Sequence, residues 1–433
     1  MNRIARSIGA NVFAQASTVA TQLLTVPLLL MAWGPERFGA WIMMATIAAY
    51  LSLADLGFTG VALNRMIMCI AADNARSAAV SFQSALLLLV VVGTVLTAAA
   101  VPIGLLLGAP VAGWFGLARA EVAPALVMIA LQSSLQMLAV LLCGVFQSER
   151  RYAESTLWMN VARLLEFALV VIGALVFKAG FAVLLGVIAA VRVLLVLVLY
   201  LRSRTFAAWS VAGFALASWR ELREMLVPAI ALLAFSLGGA LNLQGIVLLT
   251  GTLFGPVAVA HFSAMRTLAR VPYQLSQLVN LALAPEIGRL YGEGKAHALR
   301  SLYRRATAGC ILLAATSSLA LYLAADVICR YWTHGKLQPV EPDFGLLLAA
   351  AVVNSLWYTG SLMFTSTNNH VRYAVVYLAA NASGLAIALM AGPLLGTAGA
   401  ALGVLGTEVL LLVALLPRLR GFSREGMAAP RSA

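Results

Sequence analysis

Charge is what this chain has least of. Asp, Glu, Lys and Arg make up 10% of its 433 residues, against about a quarter in soluble domains, while 62% are hydrophobic and mean hydropathy is +0.95. That scarcity excludes a water-soluble globular domain and leaves a polytopic membrane protein. Cysteine is equally sparse. Cys69, Cys143, Cys310 and Cys329 lie far apart with neither a CxxC nor a Cys/His metal spacing, so no metal site is expected and they read as packing residues. No nucleotide-phosphate loop, nucleophile elbow or HExxH is present, so neither ATP binding, a cofactor nor a catalytic residue is expected. Extramembrane loops are short. Even the longest outward ones, 108–121 and 326–344, are too small for a folded domain, which counts against enzymes that carry catalytic residues on a large external loop.

What remains is long apolar runs. At about 20 residues per span they divide into about twelve transmembrane helices, near 8–32, 40–62, 80–107, 122–146, 155–177, 180–201, 226–251, 255–284, 306–325, 344–366, 372–392 and 396–416. The expected fold class is an all-α membrane protein of two six-helix lobes. Arg3 and Arg6 resemble the start of a signal peptide, but Asn11 and Gln15 interrupt what would be its apolar stretch, so the segment reads as a retained first helix.

The net charge of +13 suggests nucleic acid until the basic residues are placed. Of 29, twenty fall in segments assigned to the cytoplasm if the chain starts inside. Five lie opposite (Arg37, Arg119, Lys178, Arg330 and Lys336), and four lie within spans (Arg163, Arg192, Arg266 and Arg270). This bias follows the positive-inside rule with both termini cytoplasmic and removes the nucleic-acid reading.

The halves repeat at an offset near 221. Trp33-Gly34-Pro35 returns as Phe254-Gly255-Pro256, Trp41 falls on Phe262, and Arg151-Tyr152-Ala153 matches Arg372-Tyr373-Ala374. Six helices per unit make the repeats parallel, with a substrate site expected between them near the midplane. The expected organisation is an N-terminal lobe at 1–207, a cytoplasmic connector at 208–225, a C-terminal lobe at 226–420 and a tail at 421–433. The connector is expected to carry an interfacial helix around Leu216–Met225.

Two polar stripes cross these oily segments. Ser263, Arg266, Arg270, Tyr273, Gln277 and Asn280 share one face of span eight. Counted from Phe254 at 1.5 Å per residue, Arg266 lies roughly 18 Å deep, near the midplane. Burying an arginine there costs at least about 2.5–3.5 kcal/mol on insertion scales, so a wet, protein-lined cavity or carboxylate partners on neighbouring helices is required. Guanidinium groups bind phosphate through two N–H bonds and stay charged, which suits an anionic headgroup. Span one carries Ser7, Asn11, Gln15, Thr18 and Gln22 on one face. Their amides and hydroxyls suit glycans, or else serve as hydrogen-bonding glue between helices.

Other intramembrane charges are candidates for coupling or structural roles. Arg163 and Glu166 on span five and Arg192 on span six are expected to form a salt-bridge cluster. Glu408 on span twelve reads as a proton-coupling carboxylate or an interhelical partner. Asp55 lies where a break or cap in span two would use it.

The run Asn11-x3-Gln15 through Pro27, then Trp33-Gly34-Pro35-Glu36-Arg37-Phe38-Gly39-Ala40-Trp41 and Tyr50-Leu51-x3-Asp55-Leu56-Gly57, resembles the N-terminal signature of bacterial polysaccharide-biosynthesis flippases. These belong to the multidrug/oligosaccharidyl-lipid/polysaccharide exporter superfamily. The resemblance implies a V-shaped pair of six-helix lobes in the bacterial inner membrane that moves an undecaprenyl-pyrophosphate-linked oligosaccharide outward by alternating access. Related lipid II flippases carry an arginine set in helix one, whereas this span has only polar residues beyond Arg6, which argues against lipid II. On this reading Arg266 and Arg270 meet the pyrophosphate, and Asn11, Gln15, Gln22, Tyr273 and Gln277 contact sugars or line the path. Expected partners are membrane lipids, the lipid-linked glycan and polysaccharide polymerase machinery. The alternatives are a multidrug/cation antiporter of the same superfamily, which predicts acidic residues lining an N-terminal cavity, and a membrane glycosyltransferase or polymerase.

Overall fold

The computed structural model describes residues 3–106, 108–115, 119–292, 295–365 and 371–425. The described residues are mostly helical, with no strand among them. In order it runs through α1 (Arg3–Leu51), α2 (Phe58–Ala71), α3 (Ala75–Leu106), α4 (Gly108–Phe115), α5 (Arg119–Ser148), α6 (Tyr152–Leu175), α7 (Phe181–Arg204) and α8 (Trp219–Ala240). A π-turn, Leu241–Gly245, leads into α9 (Ile246–Gly292), followed by α10 (Ala296–Leu323), α11 (Ala325–Trp332), α12 (Asp343–Thr365), α13 (Val371–Leu395) and α14 (Thr397–Glu425).

Among the described residues, ten helical stretches are long and apolar enough to cross a bilayer. Two of them, 9–51 and 232–280, are double, each divided at a glycine, so that separating them gives the expected twelve. Gly34 has φ 73 and ψ 178, and Gly255 has φ 81 and ψ 177. A Cβ disfavours that conformation, and the proline that follows each glycine cannot donate back to the preceding turn. The sequence repeat is thus also a repeat of backbone geometry. At the first kink Trp33, Trp41 and Phe181 stack with centroids 5.0–5.9 Å apart, joining α1 to the start of α7.

The expected second span, 40–62, is not continuous. Helix stops at Leu51 and restarts at Phe58, because Gly57 takes φ 82 and the Asp55 carboxylate accepts hydrogen bonds from the backbone N–H of Gly57 (3.1 Å) and Thr59 (3.3 Å). Asp55 therefore caps the helix that follows it.

The chain divides into two compact units, Met1–Ser236 and Leu237–Ala433. The division falls inside α8 rather than at 226, because the first half of α8 packs on α2. Met225 and Ala229 are fully buried, a Cβ on Gly57 would meet the Ala229 carbonyl oxygen at 2.5 Å, and Arg65 pairs with Glu221 at 2.8 Å. The expected interfacial helix at Leu216–Met225 is replaced by a pinned connector. Gln83 donates to the Val211 carbonyl, and the N–H groups of Leu216 and Ser218 donate to Gln83 and Ser84, after which α8 runs straight on.

Within the first unit, α5 lies among α1, α2, α3 and α7. Phe58, Phe82, Leu141, Val145 and Phe146 form its core, and the rings of Phe146 and Phe206 meet at 4.9 Å. Within the second unit α14 packs on α13 and α12 through small residues: a Cβ on Gly403 would lie 2.5 Å from the Gly384 carbonyl oxygen. Such close approach replaces hydrophobic drive, which lipid removes, with dispersion contact. The tail from 426 lies outside the described residues.

Candidate functional site

The site of the second unit begins with a helical defect. A π-turn hydrogen-bonds one residue further along the chain than an α-helix and so leaves carbonyl oxygens short of partners. Those of Asn242 and Leu243 are taken by Arg266 of α9. Its Nη1 donates to the Leu243 carbonyl (3.1 Å), and its Nη2 donates to the Asn242 carbonyl (3.0 Å) and to Asn242 Oδ1 (2.7 Å). Arg266 is buried at 9% exposure, with its guanidinium carbon 5.9 Å from the Phe262 ring centre. Among the described residues no carboxylate lies within ion-pair distance of it. The cation is solvated by peptide dipoles, and its charge is kept rather than cancelled.

One turn further on, Arg270 is half-buried and makes no hydrogen bond or ion pair among the described residues. Tyr273 follows, its ring 6.1 Å from that of Tyr358 on α12. Gln277 is half-buried, and no hydrogen bond reaches it from the described residues. Among the described residues the Oγ of Ser263 is buried without a partner, as is Oε1 of Gln244 in the π-turn. Asn280 leaves the stripe and packs beside Cys310 of α10. Glu408 of α14 accepts at Oε2 from Asn354 Nδ2 (2.9 Å) and Trp357 Nε1 (2.7 Å). The second unit thus sets cations, a phenol and an amide along one face of α9, and hydrogen-bonds the Glu408 carboxylate to α12.

The first unit treats its charges differently. Glu166 and Arg192 form a partly buried ion pair at 2.9 Å, and Arg192 also donates to the Gln132 carbonyl. Arg163 stands apart from that pair. It donates instead to Thr18 Oγ1 of α1 and to Asn160 Oδ1 (3.4 Å). On the α1 stripe, Asn11 Oδ1 accepts from the Tyr152 hydroxyl at 2.9 Å, so Asn11 and Thr18 join α1 to α6. Gln15 and Gln22 are half-buried, and the side chain of Ser7 lies outside the described residues.

A cavity of about 470 Å³ also lies in the first unit, beside the break in span two. Asp55, Ser52, Thr59, Gln136 and Phe235 are among its lining residues, and the buried Thr59 hydroxyl has no partner among the described residues. Among the described residues no group of three or more His, Cys, Asp or Glu could hold a metal ion, and all four cysteines are unpaired, three of them buried.

The sequence singled out the guanidiniums but missed their acceptors. Asn242 and Gln244 are polar positions in an apolar run, a signal available but unspecific. Asn354 and Trp357, three residues apart on α12, carried no signal until Glu408 was set against them.

No family model and no curated protein matches the chain. Solved structures do. An inward-facing multidrug-resistance MATE family transporter of the MOP superfamily superposes with a TM-score of 0.72 at 17% identity, covering 99% of this chain and 100% of that one. A MATE structure in the bent conformation gives 0.62 at 17% identity, covering 98% and 97%. The lipid II flippase MurJ in an inward closed conformation gives 0.72 at 10% identity, covering 96% and 87%. At such identities the likeness speaks for architecture: this multi-pass membrane chain has the fold shared by MATE transporters and the MurJ flippase.

Proposed function

We propose that the chain is a flippase of the bacterial inner membrane, both termini cytoplasmic, which carries an undecaprenyl-pyrophosphate-linked oligosaccharide repeat unit outward by alternating access. The observation that supports this most is a pair of guanidiniums one turn apart on α9, neither ion-paired among the described residues. Arg266 is held in place by the π-turn, while Arg270 has N–H donors to spare for a diphosphate. Tyr273 and Gln277 continue the face for sugar hydroxyls, and Gln15 and Gln22 place amides in the first unit. The polyprenyl chain stays in lipid. Transport needs no group transfer, so on this reading the protein is not an enzyme. Its partners are membrane lipids, the lipid-linked glycan and the polymerase machinery that consumes it.

The test is transfer of labelled lipid-linked oligosaccharide across proteoliposomes of the purified chain. Arg270→Gln removes a charge that makes no hydrogen bond or ion pair among the described residues, so transfer falls at least tenfold while protein abundance and unfolding midpoint hold. Equal transfer by this variant would remove Arg270 from the site, and no transfer by wild type would remove the reading.

A second reading, multidrug/cation antiport, is favoured by the Asp55-lined cavity. Both Asp55 oxygens already accept backbone N–H groups, which leaves less of the carboxylate for a ligand cation. Efflux of an organic cation that is abolished by Asp55→Asn and indifferent to Arg270→Gln would favour it.

A further inference from the structure

Arg163 lies at the middle of α6, about 17 Å from its start at 1.5 Å per residue. It is exposed. An arginine exposed at that depth faces either lipid, at high cost, or a polar space. The helix itself decides which. Leu157, Val161, Leu165, Leu169 and Ile172 form its exposed apolar face, the side expected to meet acyl chains. Arg163 and Ile172 are nine residues apart, about two and a half turns, and so point to opposite sides. Tyr152 and Thr156 share the side of Arg163, and on that side stands the polar stripe of α1. The helix therefore has two exposed faces, and the cation is on the polar one.

The surroundings of Arg163 fit an oxyanion. Glu166, one turn away, is occupied by Arg192, and among the described residues no carboxylate reaches Arg163. Its contacts, Thr18 and Asn160, are neutral acceptors that orient the guanidinium without discharging it. Asn160 is fixed in turn by donating to the Thr156 carbonyl at 2.7 Å. Half-buried Gln15 lies one turn before Thr18 on the same face of α1, with no hydrogen bond from the described residues. The result is a fixed cation with spare N–H donors beside a free amide.

We propose that Arg163, positioned by Thr18 and Asn160 and flanked by Gln15, is an oxyanion-binding site belonging to the first unit alone, one that accepts a phosphate or a carboxylate. The inference rests on the flippase reading for its biological ligand and deepens it: the cargo carries an anionic group that the first unit grips independently of Arg266 and Arg270. Phosphate chemistry reaches such a site either from water or from a phospholipid headgroup.

The full chain in phosphatidylcholine nanodiscs is titrated with inorganic pyrophosphate, and separately reconstituted with increasing phosphatidylglycerol, with binding and unfolding midpoint as readouts. The expected result is pyrophosphate binding that Arg163→Gln weakens at least tenfold and Arg163→Lys weakens less, since the lysine keeps the charge but loses the fork. An Arg163-dependent response to phosphatidylglycerol alone supports the site and assigns it to lipid. No response of wild type to either probe, or responses that Arg163→Gln leaves unchanged, overturns the proposal. Should Arg163→Gln unfold, Arg163→Lys alone decides, with unaltered binding counting against the site. Transfer of labelled lipid-linked oligosaccharide by wild type is scored separately, so a failed flippase and a failed anion site give different patterns.

Discussion

Arg192 in the first unit and Arg266 in the second are both withdrawn from water inside apolar helices, yet they are accommodated by opposite means. Arg192 is given a carboxylate, Glu166, and the pair carries no net charge. Arg266 is given carbonyl oxygens released by a defect in the preceding helix, and its charge survives. The first arrangement glues helices together. The second keeps a cation available at the cost of a distorted turn, which is what a binding site for anions requires.

The comparison can be broken most severely at the ion pair. Glu166→Gln leaves the partly buried Arg192 without its carboxylate, held only by the Gln132 carbonyl, and is expected to cost about 3 kcal/mol, the low end for a broken buried pair, whereas Glu166→Leu with Arg192→Met restores most of the stability. Denaturant unfolding in detergent checks this, and equal losses in the single and double variants would mean the pair is not what holds α6 to α7. Arg266→Met is expected to cost less, about 2 kcal/mol, from carbonyls left unpaired. It should nevertheless abolish transfer of lipid-linked oligosaccharide, and a variant that still transports would place Arg266 among the structural residues. Gly34→Ala and Gly255→Ala each force a Cβ into positive φ at about 1–2 kcal/mol. Similar shifts in unfolding midpoint for the two would sharpen the equivalence of the kinks. The smallest effect belongs to exposed Glu224, whose carboxyl is held below its usual range chiefly by the hydrogen bond from Arg220. A depressed carboxyl stabilises above its ordinary value near 4.5 and loses that contribution as pH falls through and below it. Glu224→Gln should therefore flatten the acid limb of the unfolding profile slightly.

Much of the fold was legible because membrane solvation writes itself into composition. Apolar runs gave about twelve spans, and the Trp33-Gly34-Pro35 and Phe254-Gly255-Pro256 pairs located both kinks, since glycine followed by proline restricts the backbone locally. The break after Leu51 was less legible, because Asp55 as a cap and Asp55 as a buried charge look alike until the N–H groups it accepts are placed. The connector misled for a related reason: a basic, Trp-containing stretch reads as interfacial, and only Gln83 and Ser84, over 120 residues earlier, reveal that it is pinned. Helical spacing found the α9 stripe. The π-turn that holds Arg266 has no such signature, since a helix with one residue too many keeps the composition of its neighbours.

That surplus residue sets a constraint of length. Deleting one position within Leu241–Gly245 would let the segment relax into regular α-helix, with the flanking turns kept near their present register, because the surplus residue is what the π-turn absorbs. The carbonyls now held out to Arg266 would close onto their own helix. In this stretch the number of residues matters as much as their kind, and a deletion that spares every named side chain would still empty the guanidinium's cradle.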